Sequence, residues 1–150
     1  MDVRISPATV GGTVRAPPSK SYSHRAILAG GYSDTATVIG PLDSADTAAT
    51  RRAVEAFGAR VTPTGADDTL AIAGFAGRPN VPADVLDCAN AGTTMRLVTA
   101  TAGLAEGYTV LTGDASLRSR PQGPLLAAID SLGGTSLSVH EDGTAPLVIR

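Results

Sequence analysis

The residues able to do chemistry cluster in three short segments, and the first holds the only lysine. Lys20 lies in Pro18-Ser19-Lys20-Ser21-Tyr22-Ser23-His24-Arg25; the other eleven strong cations are arginines. The pattern predicts a helix starting here. Unpaired N–H groups at a helix start carry partial positive charge, so a lysine there is repelled by up to about 1 kcal/mol. An anion seated between them removes the clash, and helix starts bind phosphate and carboxylate well. The plain alternative is a solvated loop lysine. The second segment is Asn90-Ala91-Gly92-Thr93-Thr94-Met95-Arg96, where Gly92 lets a ligand approach the backbone and Asn90 and Thr93 offer polar atoms. The third is Gly113-Asp114-Ala115-Ser116-Leu117-Arg118-Ser119-Arg120-Pro121. Arg120 is again read as a cation at a helix start, and its planar guanidinium suits bidentate binding of phosphate or carboxylate.

Other polar residues read more plainly. Arg96 pairs with a buried carboxylate or carbonyls, or else joins the anion site. His24 reads as a partly exposed helix histidine, not a general base. Cys88 reads as a small buried hydrophobe, His140 as a surface turn residue, and Asp114 as the cap of a turn. No Walker, His-Glu-x-x-His or Gly-x-Ser-x-Gly pattern occurs.

The scaffold must come from aliphatic packing. The chain has 150 residues, 43% hydrophobic, 17% charged and 3% aromatic with no tryptophan. A net charge of −2 gives no global case for nucleic acid. One cysteine allows no intrachain disulfide, and no metal site or cofactor is expected. With no membrane-length apolar run and no signal-peptide pattern, the expected setting is the cytoplasm.

Helices are predicted at Ser21–Gly31, Ser44–Phe57 (with Asp43 as cap), Thr93–Ala105 and Pro121–Leu132. Strands are predicted at Val3–Ser6, Thr13–Ala16, Thr35–Ile39, Arg60–Pro63, Thr69–Ala73, Val85–Cys88, Tyr108–Thr112, Thr135–Val139 and Pro146–Ile149. The order β-α-β-α-β-β occurs twice, giving repeat units 13–74 and 84–150. Ser23-His24-Arg25-Ala26 answers Thr94-Met95-Arg96-Leu97, and Ala53-Val54-Glu55-Ala56-Phe57-Gly58 answers Ala128-Ile129-Asp130-Ser131-Leu132-Gly133. The first and third helices are apolar nearly all round and must be buried. The fold class is therefore α/β, with buried helices and sheets outside.

Together the Pro-Ser-Lys-Ser-x-Ser-x-Arg, Asn-Ala-Gly-Thr-Thr-Met-Arg and Arg-x-Arg-Pro runs resemble the 5-enolpyruvylshikimate-3-phosphate (EPSP) synthases. Leu42-Asp43-Ser44-x-Asp46-Thr47 fits as well. The resemblance implies an inside-out α/β barrel of β-α-β-α-β-β units. It also implies transfer of the enolpyruvyl group of phosphoenolpyruvate to the 5-hydroxyl of shikimate 3-phosphate, releasing phosphate. By motif, Lys20, Ser21 and Arg25 resemble shikimate 3-phosphate contacts. Lys20, Gly92 and Arg120 resemble phosphoenolpyruvate contacts, with Asn90 and Thr93 shaping that pocket.

Residues 1–150 then form the N-terminal part of such an enzyme. Its remaining units, second domain and acid/base carboxylates lie outside this sequence, so no catalytic acid or base is expected here. Thr94 and Leu97 stand where many relatives carry Ala and Pro. A sister family acting on UDP-N-acetylglucosamine shows Lys-Asn in the first motif and a reactive loop cysteine; here stand Lys20-Ser21 and a Cys88 that precedes a predicted buried helix. A non-catalytic anion-binding module of two repeats is the reading from another class. The helix starts predict that Lys20, Arg25, Gly92 and Arg120 converge on one concave face.

Overall fold

The computed structural model describes residues 3–65 and 68–150. In chain order it contains α1 (Lys20–Tyr32), β1 (Thr35–Val38), α2 (Ala45–Ala56), β2 (Arg60–Pro63), β3 (Leu70–Ala73) and β4 (Leu86–Asp87). After these come α3 (Gly92–Ala102), β5 (Thr109–Thr112), α4 (Ala115–Arg118), α5 (Gly123–Ser131), β6 (Ser136–Ser138) and β7 (Leu147–Ile149). The fold is α/β.

Two sheets flank the helices. The first has the order β1-β3-β2, all antiparallel, with Thr35 and Arg60 both opposite Ala73. The second has the order β4-β5-β7-β6. There β4 runs parallel to β5 with Leu86 opposite Leu111, and the other pairs are antiparallel. One apolar core joins both halves: Ile27, Val54, Phe57, Ile72 and Phe75 meet Met95, Val98, Leu111, Leu147 and Ile149. Helices α1, α2 and α3 pack on one another inside it. Aliphatic side chains do most of the filling, with one aromatic node where Tyr32 and Phe57 set their rings edge-on to Phe75.

Close backbone approach explains the glycine pair in α1. A Cβ on Gly30 would lie 2.7 Å from Ile72 Cδ1, and one on Gly31 would lie 2.6 Å from Val54 Cγ1. Any side chain there would push α1 off β3 and α2. At its other end α1 is capped by Ser19, whose hydroxyl accepts from the Tyr22 N–H.

Several expectations need correction. Val3–Ser6 and Thr13–Ala16 are not strands; residues 3–18 carry no regular structure, and Val3, Ile5, Val10 and Val14 are 79–92% exposed. A strand exists through its partner, and no described residue pairs with these segments. The cap of α2 is Ser44, not Asp43: Ser44 Oγ accepts from Thr47 N while Thr47 Oγ1 accepts from Ser44 N. The last predicted helix starts two residues later than expected, at Gly123 rather than Pro121, and a short helix that was not predicted precedes it. Asp114 Oδ1 accepts from Leu117 N and starts this short α4, and α5 has Pro124 in its first turn. Neither α1 nor α3 is buried all round, since Ala29, Arg96 and Ala100 face outward. No carboxylate pairs with Arg96 among the described residues.

Candidate functional site

Two groups of motif residues form, at the starts of α1 and α3. In the first, Lys20 opens α1 and Ser21 follows, exposed. Arg25 lies one turn on and folds back, its Nη1 donating to the Ser21 carbonyl at 2.9 Å. Lys20 Nζ lies 2.8 Å from Asp46 Oδ2, so the anion beside this lysine is an internal carboxylate from the first turn of α2.

In the second, Gly92 is the first residue of α3, and the preceding Ala91 has no side chain able to cap it. Arg120 Nη1 lies 3.2 Å from where a Cβ on Gly92 would stand. Arg120 therefore does lie at a helix start, but that of α3 rather than α5, because α4 carries the chain round. Its Nη2 donates to Asn90 Oδ1 at 2.8 Å and to Ser116 Oγ at 3.1 Å. Asn90 Nδ2 in turn donates to Asp114 Oδ2 at 2.7 Å. That bond, then the Leu117 N–H and the Arg120 charge, hold the Asp114 carboxyl below the ordinary carboxylate range. Thr93 sits half-buried in the same turn. An uncapped helix start beside a guanidinium held by neutral partners is suited to receive an anion.

A buried polar chain links the groups. His24 Nδ1 is 2.6 Å from Thr50 Oγ1, Thr50 Oγ1 is 2.7 Å from Thr94 Oγ1, and Thr94 donates to the Asp46 carbonyl at 3.3 Å. All three side chains are buried. Thr50 Oγ1 also lies 3.5 Å from the Asp46 carbonyl, so either hydroxyl can supply the proton between Thr50 and Thr94. The His24 tautomer sets whether Nδ1 or Thr50 donates in their contact. His24 Nε2 is buried with no partner among the described residues. Burial pushes the His24 pKa down; Asp46 opposes this and Lys20 and Arg25 reinforce it. The N-terminal halves of α1, α2 and α3 are thus tied at one place.

His24 is therefore a buried structural residue, not a partly exposed one. Its signal was present in sequence: Ser23, His24, Ile27, Gly30 and Gly31 follow helical spacing on one buried stripe. Thr50 belongs to the site region too, and nothing in local spacing marks it, because its partners His24 and Thr94 are distant in sequence. Asp46 and Ser116 lie inside the motif segments, but their pairing with Lys20 and Arg120 is not readable there. Cys88 is buried, with its thiol pushed up to about 12 by burial and then by Asp87. His140 is exposed in the turn after β6. A cavity of 420 Å³ lies between α1, α2 and the β2–β3 turn, lined by Ile27, Leu42, Ala48, Arg51 and Leu70; none of Lys20, Ser21, Arg25, Asn90, Gly92 or Arg120 borders it. No helix among the described residues is long and apolar enough to cross a membrane.

Comparison with known proteins agrees with the motifs. The sequence model of the family EPSP synthase (3-phosphoshikimate 1-carboxyvinyltransferase) matches residues 5–150. The 3-phosphoshikimate 1-carboxyvinyltransferase of Natronomonas pharaonis is 64% identical over 149 residues, covering 99% of this chain and 34% of the relative. That of Halorubrum lacusprofundi is 63% identical over 154 residues, with the same two shares. The solved EPSP synthase from Acinetobacter baumannii superposes with a TM-score of 0.84 at 31% identity, over 92% of this chain and 32% of that one. The chain spans about a third of the length of the curated relatives it matches. Motifs, fold and family match coincide, and the chain belongs to the EPSP synthase family.

Proposed function

We propose that this chain supplies part of the substrate site of a 3-phosphoshikimate 1-carboxyvinyltransferase, which moves the enolpyruvyl group of phosphoenolpyruvate to the 5-hydroxyl of shikimate 3-phosphate. The observation that carries the reading is Arg120 held at the uncapped start of α3, joined through Thr94 and Asp46 to Lys20 at the start of α1. Both substrates are multiply anionic, so bringing them together requires fixed positive groups. Lys20, Ser21 and Arg25 take shikimate 3-phosphate. Lys20, Gly92 and Arg120 take phosphoenolpyruvate, and Asn90 and Thr93 shape that side. Lys20 then neutralises charge on both as the tetrahedral adduct forms.

The transfer also needs a proton donor for the methylene carbon and a base for the attacking hydroxyl. In this reading both come from the part of the enzyme that follows, as do the remaining repeats, and units 13–74 and 84–150 are two copies of one module. The two groups face one cleft, and the protein works in the cytoplasm.

The test is a full-length enzyme in which residues 1–150 replace the matching third of the Natronomonas pharaonis relative. With both substrates it should release phosphate steadily, while the 150-residue chain alone should release none. An inactive chimera that folds, or steady turnover by the chain alone, would overturn the reading.

A further inference from the structure

The clash expected at Lys20 is answered from inside the molecule, and the answering group is unusually well fixed. Exposed lysine–carboxylate pairs are ordinarily weak, because two long side chains must be held in one geometry. Here the lysine side chain is 54% exposed but the aspartate only 28%. Asp46 sits inside the Ser44–Thr47 capping box, and its carbonyl accepts from the buried Thr94. Its carboxylate therefore projects from a point tied to α1 and α3 through His24, Thr50 and Thr94. The flexible partner is Lys20, and the rigid partner decides where its ammonium stands.

We propose that Asp46 is a positioning residue for Lys20, holding the ammonium in place before any substrate arrives. The inference rests on the proposed function for its catalytic consequence, but its geometry stands apart. Removing the carboxylate does two things of opposite sign. It takes a negative charge away from a site for anions, which tightens their binding. It also releases Lys20 to wander, which slows a step that depends on where the charge sits. A residue that only stabilised the fold would not produce this split.

In the chimera with the Natronomonas pharaonis relative, Asp46→Asn should lower kcat by about tenfold or more, since small misplacements of a catalytic charge are costly. The KM for phosphoenolpyruvate should fall at the same time, by about threefold, as an adjacent like charge is removed. Asp46→Glu, which keeps the charge, should recover part of kcat. An unchanged kcat, or a lower kcat with a raised KM, overturns the proposal. If the unsubstituted chimera shows no turnover, the functional reading has failed and positioning is judged on the 150-residue chain. Lys20 is its only lysine, so ¹³C labelling at lysine Cε yields one side-chain signal. Its two Hε protons should be distinct in the parent chain and merge in Asp46→Asn, but stay distinct in Asp43→Asn. A signal unaltered by Asp46→Asn, in a variant whose amide spectrum shows it folded, overturns the proposal.

Discussion

At the start of α1 the backbone is closed off by the Ser19 cap, and the cation beside it carries its own carboxylate, Asp46. At the start of α3 there is no side-chain cap, and Arg120 is held by Asn90 and Ser116, both neutral, with Asp114 one hydrogen bond further away. The first arrangement is neutralised from within; the second keeps its charge and its free N–H groups. A small anion should therefore settle first at α3, and Lys20 should join only after sharing its charge between Asp46 and the ligand.

The sharpest break in this comparison is to remove each cation in turn. In the full-length chimera, Lys20→Met and Arg120→Met should each lower kcat/KM by about 10²–10³-fold, the scale for losing a preorganised charge. The two should separate in the 150-residue chain. Binding of inorganic phosphate, expected near millimolar or about −4 kcal/mol, should vanish in Arg120→Met and persist in Lys20→Met when followed by NMR titration. Equal loss in both would mean that the two starts are not different in kind.

A smaller effect is expected at Gly92. A methyl group there lies 3.2 Å from Arg120 Nη1 and must displace the guanidinium by a few tenths of an ångström. Gly92→Ala should raise the KM for phosphoenolpyruvate about tenfold in the chimera, scaled from the effect of a 1 Å misplacement. Urea denaturation should show its stability unchanged.

The link between the two starts can be cut at Thr50. Thr50→Val keeps the shape but leaves Thr94 and His24 each short of a partner, so stability should drop by about 1–3 kcal/mol, read from the urea midpoint. The ring itself gives the smallest effect. Burial holds His24 below its ordinary 6.5 in the fold, so the unfolded chain takes up this proton first. The stability contribution is complete above about pH 6.5, where both states are neutral, and declines as the pH falls below it. The urea midpoint should therefore decline on going from pH 7 to pH 5, and His24→Gln should flatten that slope.

Local signals were legible where the residues concerned are neighbours in sequence. The starts of α1, α2 and α3, each predicted to within one residue, and the strands β1, β2, β3 and β5 all depend on spacing within a turn or a pleat. Lys20, Gly92 and Arg120 stood out because a charge or a missing side chain looked misplaced. What stayed hidden depends on distant partners. Thr50 and Thr94 meet across 44 positions, and Lys20 and Asp46 across 26. Arg120 was assigned to the wrong helix because Ala115–Arg118 is a single turn, too short for any periodicity to reveal. The first two predicted strands failed for the opposite reason: their alternation is local, but no described residue pairs with either segment.

That bare leading stretch has a colloidal consequence. β1 is an edge strand, and the apolar side chains ahead of α1 lie open to water. Open ladder edges and loose β-prone segments attract their counterparts on other molecules. Pro7, Pro17 and Pro18, with Gly11 and Gly12, divide the stretch into runs too short for a stable stacked sheet. These breaks act as gatekeepers, so at high concentration the chain should self-associate reversibly instead of forming fibres.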